Sequence, residues 1–324
     1  MKLPRRQFLQ LATGAAAMPA LSGTARAQSY PTRPVRILVG YPPGGVNDLH
    51  ARLFGQWLSE RLGQQFFIEN RAGAGGTLAA EAAAHSAPDG YTLLLTTAGD
   101  ARNTALYDNL KYDFIRDLVP VASFTKFASA LVALPSFSAR TVPELLATLK
   151  ANPGKITIAS AGVGSISHMC WEVLKAMTGV DMLHVPYRGE GPAFPDLLGG
   201  QVHVMMPSIP PTMEFIKAGK LRPLAVSTAS RTDALPGVPA ISEFVPGYEV
   251  ASWVGITAPR NTPAGIISVL NRELNAALDD ARIKARIAEL GMSVFANSSA
   301  EFARFVAGYT ESWAETIRAA NIKA

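Results

Sequence analysis

Val35-Arg36-Ile37-Leu38-Val39-Gly40-Tyr41-Pro42-Pro43-Gly44-Gly45-Val46-Asn47-Asp48 is the stretch that decides the fold. The run Val35 to Val39 has the composition of a short buried strand. Pro-Pro-Gly-Gly then forces a tight loop. Asn47-Asp48 precedes an amphipathic run to Leu62, with apolar residues at Leu49, Leu53, Trp57 and Leu58, which predicts an N-capped helix. The same unit recurs downstream. Phe66 to Asn70 is a strand, Gly73-Ala74-Gly75-Gly76-Thr77 a turn, and Leu78 to Ala84 a helix, before a third strand at Tyr91 to Thr96. Strand, short loop and helix in alternation predict a parallel sheet covered by helices.

A second set begins at Lys155 to Ser160, a strand that runs into the glycine-rich turn Ala161-Gly162-Val163-Gly164-Ser165. Ser165 or Ser167 caps a helix reaching Met177. Strands at Met182 to Val185, Val202 to Met206 and Leu221 to Ser227, with a helix from Gly191, complete it. Residues 231–247 form a proline-rich connection. After Trp253 to Thr257 the chain turns helical, at Pro263 to Leu278, Asp280 to Leu290 and Ala300 to Ala320.

The loops carry the chemistry. In open parallel sheets they lie at the carboxyl edge, where ligands bind. Helix N-termini there present N–H groups and partial positive charge to an anion. Gly44-Gly45, Gly75-Gly76-Thr77 and Gly162 to Ser165 hold no basic residue, so a carboxylate bound there is expected to rest on backbone N–H groups. Two such half-sites on two α/β lobes make a clamp.

Arg5-Arg6-Gln7-Phe8-Leu9, an apolar stretch to Leu21 and Ala25-Arg26-Ala27 together read as a twin-arginine (Tat-like) secretory signal, cleaved before Gln28. Its loss lowers the formal charge from +5 to +1, which leaves no basic footprint for nucleic acid. The remaining chain has no apolar run long enough for a membrane span. Cys170, the single cysteine, excludes an internal disulfide and reads as a small buried residue rather than a nucleophile beside His168. No histidine pair has metal-ligand spacing, and no cofactor or metal is expected. Gly162-Val163-Gly164 begins like a dinucleotide fingerprint. Ser167 stands at its third glycine, and Pro186-Tyr187-Arg188 where the ribose-binding acid belongs. His168 is a candidate ligand contact because it follows the glycine-rich turn. Asp48 reads either as a cap or as cap and pocket residue, and Trp253 as core or pocket wall.

At these loops the sequence resembles the Bug-type extracytoplasmic solute receptors of tripartite tricarboxylate transporters. The resemblance rests on Tyr41 to Asp48, Glu69-Asn70-Arg71-Ala72-Gly73-Ala74-Gly75-Gly76-Thr77, Ala87-Pro88-Asp89-Gly90-Tyr91 and Ser160 to His168. It continues through His184-Val185-Pro186-Tyr187-Arg188-Gly189, Asp196 to Val202, Ala218 to Arg222, Leu235-Pro236-Gly237-Val238-Pro239 and Gly247-Tyr248-Glu249. It implies an α/β, two-lobed periplasmic binding protein fold (type II-like) with two chain crossings at the hinge, near 123–130 and 250–255. Residues 1–27 would be the signal peptide, 28–126 plus 254–324 lobe one, and 127–253 lobe two.

By position, the resemblance implies a carboxylate ligand between the lobes, held largely by backbone N–H groups and ordered waters. Lobe one would offer Tyr41, Pro43, Gly44, Gly45, Val46, Asn47, Asp48, Gly75, Gly76, Thr77, Thr97 and Ala98. Lobe two would offer Ser160, Ala161, Gly162, Gly164, Ser165, His168 and Pro207. At Met206-Pro207 the chain departs from the family's frequent Phe-Asp-like pair, which counts against an amino-acid ligand, and Asp100 and Arg102 are unusual near the distal pocket. The implied partners are a small organic carboxylate and the membrane permease subunits of such a transporter, or a sensor. The protein is expected to be a periplasmic, non-catalytic monomer. An exported α/β enzyme acting on a small anion is the competing reading. A third is an adaptor with an empty cleft.

Overall fold

The computed structural model describes residues 30–319 and residue 322. The signal segment and its cleavage site lie outside the described residues. Strand β1 (Val35–Val39) leads into α1 (Val46–Leu62). Strand β2 (Phe66–Asn70) passes through a single 3-10 turn (Ala74–Gly76) into α2 (Thr77–Ala84), and β3 (Thr92–Thr97) runs directly into α3 (Ala98–Leu106). Next come α4 (Phe114–Asp117) and β4 (Leu118–Ala128). The second set is β5 (Ala130–Ala133), α5 (Val142–Ala151), β6 (Thr157–Ser160), α6 (Ile166–Thr178), β7 (Leu183–Pro186), α7 (Glu190–Leu198), β8 (Val204–Met205), α8 (Ile209–Lys217) and β9 (Arg222–Val226). The chain closes with β10 (Ala251–Pro259), α9 (Ala264–Asp279), α10 (Ala281–Glu289), β11 (Ser293–Val294) and α11 (Ser299–Ala319).

Two sheets result, in the orders β11-β4-β10-β3-β1-β2 and β7-β6-β8-β5-β9. Neither is purely parallel, contrary to the sequence expectation. The strand–loop–helix units do pair in parallel, β1 with β2 and β3, and β6 with β7 and β8. The strands that carry the chain between sheets run antiparallel: β10 against β3 and β4, and β5 against β8 and β9.

The crossing is short. β4 ends at Ala128 in one sheet, and β5 begins at Ala130 in the other. Ser129, between them, is bonded to the returning segment. Its N–H donates to Ser227 Oγ (2.9 Å), and its carbonyl accepts from Ser227 N–H (2.9 Å). Ser227 Oγ donates to Val250 O (2.6 Å), one residue before β10. The two crossings are thus one hydrogen-bonded unit, and no loop of independent length separates the lobes.

Each sheet packs its own apolar core. Leu38, Leu94, Ala98, Ala101, Phe114 and Phe302 belong to the first, and Leu131, Ile158, Met169, Trp171, Leu174 and Tyr248 to the second. Trp253 is core: it is buried, with Phe302, Phe305 and Tyr309 edge-on around it. Helix α11 joins both cores. Phe302 and Val306 pack in the first, whereas Trp313 and Ile317 pack in the second. The end of α11 thus packs with the second sheet, although residues 254–324 are expected in lobe one.

Candidate functional site

The loop after β1 forms one wall of a cavity between the sheets. α1 starts at Val46, with Gly45 as its cap residue and no side-chain cap, so Asn47 and Asp48 lie inside the helix rather than before it. Gly44 takes a left-handed φ of 85°, and its N–H donates to Asp48 Oδ2 (3.0 Å). Arg52 Nε and Asn70 Nδ2 donate to the same carboxylate (2.8 and 3.1 Å). Burial pushes the Asp48 carboxyl up, but the bonds from Arg52, Gly44 and Asn70 outweigh it and hold it below its ordinary value. Asp48 is a clamp on the loop and does not line the cavity. Tyr41, Pro43, Gly45, Val46 and Asn47 do.

The end of β3 supplies the next wall. Thr97 Oγ1 accepts from Gly99 N–H (3.1 Å), and Asp100 Oδ2 accepts from Thr97 N–H (2.7 Å), a capping box that starts α3. Thr97 lines the cavity, whereas Ala98 is buried in the core. Burial pushes the Asp100 carboxyl up to about 6. One turn on, Arg102 reaches the cavity although its side chain is buried. It donates to Tyr309 OH (2.6 Å) and to Gly164 O across the cleft (3.3 Å), and lies over the Trp313 ring. Among the described residues it has no acidic partner within ion-pair distance.

Opposite stands the turn after β6, and four of its five N–H groups are hydrogen-bonded locally. Ala161 N–H donates to Ser167 Oγ (2.8 Å), Gly162 N–H to Ser160 Oγ (3.1 Å), Gly164 N–H to His168 Nδ1 (3.3 Å) and Ser165 N–H to Gly162 O (3.2 Å). Their partners are side chains at the end of β6 and the start of α6 and a carbonyl of the turn itself. Ser160, Ser165, Ser167 and His168 hold the turn together.

Ser160 is fully buried beside His184, and His168 stacks on His184 at 4.5 Å. His168 does not line the cavity. Burial, and then the neighbouring His184 and Arg102, lower its pKa to about 3, so it is a neutral acceptor for Gly164. Ala161 and Ser165 do line the cavity. Gly162, Gly75 and Gly76 line a neighbouring cleft that shares Tyr41 and Ala161. Gly76 N–H is spent on Gly73 O (3.0 Å), and Thr77 Oγ1 donates to Ala74 O (2.9 Å). Pro207 is buried off the cavity, and its carbonyl accepts from Ala130 N–H. Its neighbour Ser208 lines the cavity.

The cavity holds about 610 Å³ of empty space, including part open to solvent. Sequence reasoning missed Phe127, Glu190, Ser208 and Ser252 in its wall. Glu190 opens α7, where an acid reads simply as complementing the helix dipole.

A family model described as tripartite tricarboxylate transporter family receptor matches residues 50–322. The chain belongs to this receptor family. Other proteins like it include BugT of Bordetella pertussis, 35% identical over 92% of each chain. Two solved structures share its fold closely. One, an R. palustris protein with adipate, is 35% identical at a TM-score of 0.87, over 91% of this chain and 99% of that one. The other, MatC from Rhodopseudomonas palustris with bound malate, is 33% identical at 0.84, over 89% and 100%. The two sheets and their double crossing are the two-lobed binding-protein fold of these tripartite tricarboxylate transporter receptors.

Proposed function

We propose that this receptor captures a small organic carboxylate between its lobes, without chemistry, in the periplasm. It then hands the ligand to the permease subunits of a tripartite tricarboxylate-type transporter. Lobe one is residues 28–126 plus 254–324, apart from the end of α11, and lobe two is 127–253. The observation that carries this reading is Arg102, a buried cation in the cavity wall with no carboxylate within ion-pair distance among the described residues. A buried charge is tolerated when something pairs it, and a ligand carboxylate would do so. The relatives solved with adipate and malate support the ligand class. Cys170 supports the non-catalytic reading: it is fully buried, and burial pushes its thiol up to about 11, so it is no nucleophile.

Calorimetry with straight-chain and hydroxylated dicarboxylates tests this reading. At least one should bind, and Arg102→Gln should weaken it by about tenfold to a hundredfold, the worth of hydrogen bonds to a charged group. Binding that is indifferent to Arg102→Gln would show that the carboxylate sits elsewhere. Export is tested separately. Protein recovered from the periplasm should begin at Gln28, and an N-terminus at Met1 would refute cleavage.

A further inference from the structure

Resting on the receptor reading above, we infer that the cleft selects a carboxylate that also carries a protonated amine, and that Glu190 is the residue that recognises the amine. Glu190 lines the same cavity as Arg102 and is 7% exposed. Its Oε1 accepts twice from Ser208, from the N–H (2.7 Å) and from Oγ–H (2.9 Å). Its Oε2 is buried with no hydrogen-bond partner among the described residues. A carboxylate with one oxygen fully engaged and the other unpaired is costly to bury. An acceptor of this kind, in the wall of a ligand cavity, is completed by a donor on the occupant. A cationic donor offsets the buried charge as well as the missing bond, which a hydroxyl does not.

Arg102 and Glu190 do not neutralise each other, since no ion pair joins them. The cavity wall therefore offers one cation and one acid separately. The complementary ligand presents carboxylate to the first and ammonium to the second. This reverses the inference drawn from Met206-Pro207. An acid is present after all, contributed by the start of α7 rather than the end of β8. Electrostatic matching of this kind acts chiefly on choice between ligands of one size.

Matched ligand pairs test it: succinate with aspartate, glutarate with glutamate, and adipate with 2-aminoadipate. Each pair differs only by the amine. Calorimetry on the wild-type protein should give the amino member of the best-bound pair at least about tenfold higher affinity. Glu190→Gln is the matching variant. Its amide oxygen can keep both Ser208 bonds, which puts the NH₂ group where Oε2 stood, a donor facing a donor. The amino ligand should then lose about tenfold to a hundredfold relative to the plain dicarboxylate. If wild type prefers the plain dicarboxylate, or if Glu190→Gln shifts both members equally, the inference is overturned and the receptor reading stands. If no carboxylate of any pair binds, the receptor reading fails and takes this inference with it. The wild-type preference decides the matter even if the variant does not fold.

Discussion

Gly164→Val is expected to weaken capture of any cleft ligand by roughly thirtyfold or more. Gly164 has a φ of 76°, which a β-branched residue adopts only under strain of about 1–3 kcal/mol. A Cβ there would also stand 2.7 Å from Asn103 Oδ1 and 3.2 Å from Leu106 Cδ1, both on α3 across the cleft. Asn103 cannot swing aside freely, being fully buried with its Nδ2 donating to Gly75 O (3.0 Å). Overpacking of this kind costs about 1–3 kcal/mol more. The same residue's carbonyl accepts from Arg102. The variant should therefore hold the lobes apart, giving a larger radius by small-angle scattering at saturating ligand. Gly76→Val should carry only the backbone strain of its φ of 97°, since a Cβ there meets Tyr41 and Asp100 in ordinary contact at 3.5–3.7 Å and nothing across the cleft. Ser165→Ala should cost on the order of 1 kcal/mol for the lost cap, and Arg188→Ala least. Wild-type affinity in Gly164→Val would mean that this lobe-to-lobe contact has no part in binding.

Acidification is the second large effect, and His50 is its cleanest reporter. His50 is buried, with Nδ1 2.7 Å from Val46 O and Nε2 2.6 Å from Thr125 Oγ1. A carbonyl only accepts, so Nδ1 carries the proton and Nε2 accepts from the threonine. Burial lowers the imidazole pKa from 6.5 to about 4. The unfolded chain therefore takes up a proton below 6.5 that the native state refuses, and stability drains away as pH falls from 6.5 to about 4. Asp100 acts oppositely, because its raised pKa lets the native state bind a proton first.

Comparison with His50→Gln separates the two. The stability gap should move in the variant's favour by about 1.4 kcal/mol per pH unit across that window, on the order of 3 kcal/mol in all. Urea unfolding at pH 7, 5.5 and 4.5 measures it. A gap independent of pH would mean that His50 is protonated in the native state. His168 follows the same sign, down to about 3.

The repeated strand–loop–helix units could be read from sequence because strand and turn residues there agree. Phe66–Asn70 is read to the residue. Strand β4 could not be, since Pro120, Ser123 and Lys126 break any alternation in a segment whose pairing is non-local and antiparallel. Helix α3 is buried through Asp100, Arg102 and Asn103 and so shows no apolar stripe, and only the Thr97–Asp100 capping pair announced it. Thr141 caps the periodic helix Val142–Ala151, a signal as clear in sequence as those of the repeated units. In the site the loops were visible but their hydrogen bonds were not. Glycine-rich composition says that N–H groups are available, whereas the serines and histidine that occupy them are known only once the turn is folded.

Helix α11 bears on how the clamp can move. Because Phe302 and Val306 are anchored in one core and Trp313 and Ile317 in the other, the lobes cannot separate as two bodies joined only by strands. Either the aromatic end is dragged out of its socket, at several kcal/mol for two large apolar side chains, or the rod itself must flex. Between the two anchors lies Gly308, with open space around it and the weakest helix propensity apart from proline. Arg102, bridging Tyr309, Trp313 and the opposite lobe, sits beside that soft point. The last helix is therefore a second strap between the lobes, and Arg102 ties that strap to the far wall of the cavity.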